Sequence, residues 1–224
     1  MDRGKSVTGR YLHATLGSII TAVVLACSTV GGGAHEGVVH QSDEEAARHL
    51  REQENTPGFP SIKGGDFKLI DQFGAERTSK DPDNRFQLLF FGYAKCKAIC
   101  SVALPRMGEV ADRLEAEGMR VTPLLITVDP ERDTVAALAE AAPKYHSRLI
   151  GLTGSQQALD EAYRAFQIER SIVFVDPEQG AVYAHGSYIY LIGPDGAFKT
   201  LFPPILSPER IAELVRQYVH GNKS

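Results

Sequence analysis

Two cysteines, Cys96 and Cys100, stand four residues apart, just after the apolar run Gln87–Phe91 and the pair Gly92–Tyr93. If the segment is helical, both thiols lie on one face, a turn apart. Pro105 would remove a helical bond to the Ser101 carbonyl, so the segment can equally be a loop, with the regular helix starting near Leu104. Backbone N–H groups at a helix start favour a thiolate, and Lys95 and Lys97 push the same way. Low-pKa thiols at the end of a buried strand suit either thiol–disulfide exchange or a soft metal. A third group narrows the choice. His185, between the small residues Ala184 and Gly186, precedes the apolar run Tyr188–Ile192. Two thiolates and an imidazole suit copper, because thiolate holds Cu(I) and imidazole serves both Cu(I) and Cu(II). Zinc accepts the same donors, but structural zinc takes four. A three-ligand site is open, which suits passing the metal on. Cu(I) with two thiolates carries one negative charge, which Lys95 or Lys97 can offset. The other histidines carry no assigned role. His35, His40 and His49 fall in a polar spacer, His146 at the end of a surface helix and His220 in the tail.

The third cysteine, Cys27, belongs to a different part of the chain. Arg3, Lys5 and Arg10 precede an uncharged run from Tyr11 to Val30, the pattern of an export signal. Three fates are open for residues 1–34: a lipoprotein signal with Cys27 lipidated after Val24–Ala26, a signal peptide cleaved after Ala34, or an uncleaved anchor. Each puts the following domain outside the cytoplasm, on the periplasmic side of a membrane. Residues 35–56 read as a flexible linker, with a helical stretch from Asp43 to Gln53, and the domain as residues 57–222. Its one cysteine pair is then a redox pair or a metal site. A structural disulfide is the weakest option, because so short a loop removes little unfolded-state entropy. A net charge of −4 gives no sign of nucleic-acid binding.

The elements that must position the thiols and the imidazole follow from periodicity. Phe67–Ile70 and Ala75–Thr78 flank the turn Asp71–Gly74 and read as a β-hairpin. Gln87–Phe91, Val121–Val128 and Leu149–Leu152 are short apolar runs suited to strands buried on both faces. Between them, Leu104, Met107, Ala111 and Leu114 share a helical face, and Asp133 or Thr134 can cap a helix running to Tyr145. Ser155 can cap a helix carrying Leu159, Ala162, Tyr163 and Phe166. Tyr188–Ile192 and Ala197–Phe202 are strands joined by the turn Gly193–Gly196. Pro208 opens a last helix with the stripe Ile211, Leu214, Val215 and Tyr218. Alternating strands and helices imply an α/β fold: a thioredoxin-like central sheet flanked by helices, with an extra N-terminal β-hairpin. In that layout, the loop entering the strand after His185 lies near the cysteines.

From Ile62 to Val219 the chain resembles the Sco/SenC family of copper chaperones. The resemblance rests on Phe67–Gly74, Phe91-Gly92-Tyr93 before the cysteines, Val128-Asp129-Pro130-Glu131-Arg132-Asp133-Thr134, Ile150–Gly154, and His185 ahead of Tyr188–Ile192 and Pro194-Asp195-Gly196. It implies copper held by Cys96, Cys100 and His185. It also implies a role in assembling the dinuclear copper centre of cytochrome c oxidase, with the copper-site subunit and other copper chaperones as partners. Some members resemble thiol–disulfide oxidoreductases that keep a client's cysteines reduced, which would make Cys96 and Cys100 the catalytic pair. Asp129 and Arg132 match family positions and are read structurally, as the end of a strand, with Asp133 capping the next helix. Three positions depart from the family pattern. Lys97 and Ser101 stand where proline follows each cysteine, Ala184 stands where an acidic residue precedes the histidine, and Pro105 lies inside the expected helix.

Overall fold

The computed structural model describes residues 64–221, together with Ile62 and Arg48. The expected leader and most of the spacer, Cys27 included, lie outside the described residues. Of the stretch expected to be helical in the spacer, only Arg48 is described, and it is helical.

Within residues 64–221 the described elements are nine strands and four helices. They are β1 Lys68–Asp71, β2 Glu76–Thr78, β3 Phe86–Gly92, α1 Cys100–Ala116, β4 Val121–Thr127, α2 Val135–Tyr145 and β5 Ile150–Thr153. After these come α3 Gln156–Ala165, β6 Ser171–Asp176, β7 Gly180–Ala184, β8 Ile189–Ile192, β9 Phe198–Phe202 and α4 Pro208–Gly221. Seven strands form one sheet in the order β2-β1-β5-β4-β3-β8-β9. The central trio β3, β4 and β5 is parallel, while β1 and β8 join it antiparallel.

Every residue of β3 and of β4 is buried, as uninterrupted apolar runs demand when helices cover both faces. Side-chain alternation along β3 identifies the faces. Phe91 packs against Tyr163 and Phe166 at the end of α3. Phe90 and Gly92 point the other way, towards Cys100 at the start of α1. The expected caps are partly redistributed. The Thr134 hydroxyl caps α2 by accepting from Ala137 N–H, and Ser155 caps α3 through Ala158 N–H. Asp133 does not cap α2, because its carboxylate turns inward.

The pairing of β6 with β7 is an addition to the sequence reading, which placed no strand or helix in residues 167–184. The run Ile172–Val175 is β-prone, Asp176 Oδ1 accepts from the N–H groups of Glu178 and Gln179, and Gly180 turns the chain at φ +79°. This hairpin forms a separate two-stranded sheet. Among the described residues, no helix is long and apolar enough to cross a membrane.

Candidate metal centre

The buried strand β3 delivers the cysteine loop to one end of the sheet. At its last residue the chain has no room for a side chain. A Cβ on Gly92 would lie 2.8 Å from Cys100 Sγ and 2.9 Å from the Phe90 ring. Glycine therefore lets the Cys100 sulfur sit against the strand. The loop then tightens, with Cys96 N–H donating to the Tyr93 carbonyl. The helix begins at Cys100, four residues before the start that Pro105 suggested. Pro105 falls in its second turn, where the partner it deprives is the Ser101 carbonyl, and Ser101 is exposed to water. The first-turn donors are satisfied locally: Ser101 N–H bonds Ala98 O, and Val102 and Ala103 N–H bond Ile99 O. Cys96 thus sits in the loop and Cys100 on the helix, both buried and neither in a disulfide.

The imidazole arrives from the other side. His185 follows β7 and precedes β8, and β8 runs antiparallel along β3 with Leu89 opposite Tyr190. Continuing that register past the paired residues carries the loop before β8 alongside the end of β3. The His185 ring is wedged edge-on against Phe90 and Tyr93, with centroids 5.9 Å from each. Its Nδ1 lies 2.9 Å from the Gly186 carbonyl, so Nδ1 carries the proton and donates. That turns Nε2 towards the sulfurs, 3.8 Å from Cys100 Sγ. The three candidate ligand atoms lie within 4.8 Å of one another.

The sequence led us to expect two acidic thiols; the structure divides them. Cys100 and His185 hydrogen-bond to Cys96 and hold its thiol down to about 4. The Cys100 thiol is pushed up, by the proton it shares with Cys96 and by burial. One thiolate and one protonated thiol therefore sit side by side. Such a pair is set up either to attack a disulfide or to bind a cation as the second proton leaves.

One segment, Asp129–Asp133, holds both halves of this cluster. Buried Asp133 accepts from Ala94 N–H at 3.0 Å and from the Thr127 hydroxyl at 2.7 Å. Tyr145 at the end of α2 donates its hydroxyl to Ala94 O at 2.8 Å, so both ends of that residue in the cysteine loop are pinned. Burial pushes the Tyr145 phenol up to about 12, which keeps it a donor. Burial also pushes the Asp133 carboxyl up from its ordinary value. Arg132, paired with Asp129, reaches the other way. Its guanidinium donates to the Gln179 and Ala181 carbonyls of the hairpin and lies over the Tyr93 and Tyr183 rings. Arg170 adds a second clasp, stacking on Tyr183 and donating to Val128 O. The sequence marked this segment as a motif. It gave no sign that Arg132 grips the hairpin leading to His185, or that Asp133 and Tyr145 grip the cysteine loop, since these contacts span 39 to 51 residues. The remaining described histidines stay away from the cluster, and His146, after α2, pairs with Asp112.

Comparisons with known proteins place this arrangement in context. The SCO1/SenC family model matches residues 55–220. The mitochondrial SCO2 homologue of Bos taurus is 38% identical over 178 residues, covering 78% of this chain and 67% of its own length. Copper-bound ScoI of Arabidopsis thaliana superposes with a TM-score of 0.67 at 28% identity, over 72% of this chain and 99% of that one. BsSco, a Sco-family cytochrome c oxidase assembly protein solved in a study of a disulfide switch, gives a TM-score of 0.54 at 25% identity, over 69% and 92%. The thioredoxin-like layout read from the strand and helix order is the layout of these solved relatives.

Proposed function

The chain belongs to the SCO1/SenC family, and from that premise we propose that it is a copper-binding metallochaperone for the dinuclear copper centre of cytochrome c oxidase. Copper is its cargo, held by Cys96 Sγ, Cys100 Sγ and His185 Nε2. The observation that carries the reading is the convergence of those three atoms within 4.8 Å from segments 85 residues apart. The donors fit copper in either oxidation state, and three ligands leave the ion open to a fourth from a recipient. Before binding, Cys96 is already a thiolate and Cys100 releases its proton as the metal enters. The complex with Cu(I) carries one negative charge beside Lys95 and Lys97, both exposed. The copper-bound state of Arabidopsis ScoI and the assembly role of BsSco support the assignment. The leader pattern supports a domain working on the outer face of a membrane, tethered by its N-terminus.

A second reading has its own observation, the division of the thiols. As a thiol–disulfide oxidoreductase, Cys96 thiolate would attack a client disulfide and release one client thiolate. Cys100, losing its proton, would then attack the mixed disulfide. The client leaves as a dithiol and the chain as a Cys96–Cys100 disulfide, two electrons having passed. An external dithiol must reset it. The disulfide consumes both thiolates, so copper loading requires the reduced chain.

Copper stoichiometry and absorption of the reduced protein, beside His185→Ala, separate the two. One copper per chain with a thiolate-to-Cu(II) charge-transfer band, much weakened in the variant, is expected. Equal binding by the variant removes His185 as a ligand. No stable copper, with client disulfides still reduced, makes exchange the function.

A further inference from the structure

The outer strand of the hairpin is built unlike the rest of the molecule. Side chains on β7 are half-buried or buried except Ala184, whereas Ile172, Val173, Phe174 and Val175 on β6 are 57, 63, 55 and 68% exposed. A strand lying on a core buries alternate residues. Four successive exposed apolar side chains mean that neither face of β6 is packed. Among the described residues β6 pairs with β7 alone, so its other edge presents main-chain N–H and C=O groups. No lysine or proline blunts that edge; one bulge between Ile172 and Phe174 is its only irregularity.

This strip adjoins the metal centre. Phe174 and Asp176 share a cavity of about 280 Å³ with Tyr93, Lys95, Lys97 and Ala98, the residues that bracket Cys96. Arg132 and Arg170 fix the hairpin there. No described carboxylate lies within ion-pair distance of Lys95 or Lys97, and Lys97 interacts with the Asp176 carboxylate at longer range across the same cavity.

We propose that the free edge of β6 and the Lys95–Lys97 cavity together dock an extended, apolar segment of the protein that exchanges copper with this chain, with a carboxylate of that segment entering the cavity. The proposal rests on the copper-chaperone reading and names where the exchange partner binds. An extended segment fits because the open edge supplies hydrogen bonds along its length, as in strand addition. A lipid surface would cover the apolar side chains but leave those main-chain groups unsatisfied. Lys95 and Lys97 face the single carboxylate of Asp176 in that cavity, and the surplus positive charge selects an acidic segment over a basic one. The position places the partner's ligands beside Cys96, where a fourth donor can approach the ion.

The test is hydrogen–deuterium exchange on the reduced, Cu(I)-loaded full chain, with and without the purified copper-site domain of the same organism's oxidase subunit. Residues 171–176 are expected to slow about tenfold or more on addition of that domain. Phe174→Glu is expected to weaken association about tenfold. Lys95→Gln with Lys97→Gln is expected to weaken it and flatten its salt dependence, and Phe174→Glu, which lies outside the ligand set, is expected to retain one copper per chain. Binding that leaves β6 exchange unchanged overturns the proposal. So does protection of β6 in the chain alone, whether it grows with concentration (a second copy) or is independent of it (the chain's own covering). Protection by anionic phosphatidylglycerol vesicles in place of the domain overturns it in favour of a membrane. No association by a chain that holds one copper also overturns it while leaving the copper site intact. Failure to hold copper is read separately, from the stoichiometry of the same sample.

Discussion

His185 can serve two sulfurs because its other nitrogen is committed. With Nδ1–H given to Gly186 O, the ring is oriented with Nε2 towards the sulfurs, and Phe90 and Tyr93 flank it edge-on. The sulfurs are less alike than their spacing suggests. Cys96 receives hydrogen bonds that stabilise its charge; Cys100, fully buried, keeps its proton, which it shares with Cys96. This has a measurable consequence. With the Cys96 thiol held at about 4, its thiolate is complete well below neutrality. Iodoacetamide labelling of Cys96, read by peptide mass spectrometry, should therefore be flat from about pH 6 to 9, whereas a free cysteine rises through its pKa of about 8.5. Cys100 in Cys96→Ser should label slowly and rise with pH across that range, because burial still disfavours its thiolate. A rate at Cys96 that climbs tenfold per pH unit would exclude the preformed thiolate.

The elements around the site act as a jig, with the Asp129–Asp133 turn as its fixed part. Asp133 faces the cysteine loop and Arg132 the hairpin, so their separation sets the span between sulfurs and imidazole. Lysine in place of Arg132 keeps the charge but cannot donate to two carbonyls in one plane while its head lies over the Tyr93 and Tyr183 rings. Arg132→Lys is expected to speed amide exchange in β7 and lower copper affinity about 10-fold. The affinity would be read by competition with a colorimetric Cu(I) chelator. Thermal stability should fall by only about 1 kcal/mol, because the hairpin lies outside the main sheet. Unchanged affinity with a loosened hairpin would mean that His185 is held from β8 alone.

Across the whole molecule, the site is a joint between parts that are otherwise separately supported. The central sheet carries β3 and β8, the crossover helix α1 carries Cys100, and the β6–β7 hairpin leads into His185. A ligand that binds all three parts binds only the folded chain and stabilises it. Copper at about 100 times its Kd should add about 2.7 kcal/mol, which for a domain of this size is roughly 5–10 °C in Tm. Calorimetry of the reduced chain should show this rise. His185→Ala should lose most of it, and the chain oxidised to a Cys96–Cys100 disulfide should show little, since both thiolates are consumed. A full rise in the oxidised chain would place the metal elsewhere.

Local pattern was enough for the central elements and for the candidate ligands. Buried strands announced themselves as unbroken apolar runs, helices as 3.6-residue stripes with Thr134, Ser155 and Pro208 at their starts, and the ligand types as two thiols and one imidazole beside small residues. These are properties of neighbours in the chain, fixed by periodicity and by the chemistry of each side chain. The tertiary structure decided what depends on residues far apart. It started α1 at Cys100 despite Pro105, because the missing bond falls in the second turn at Ser101, an exposed residue. It turned Asp133 from a cap into a brace, because Ala94 and Thr127 lie within reach of its carboxylate. It divided the two thiols, because a pKa is set by burial and by the partner across the space between them. It also lifted β6 off the core, leaving Ile172–Val175 in solvent; an apolar run states that a strand is β-prone and not what, if anything, will cover it.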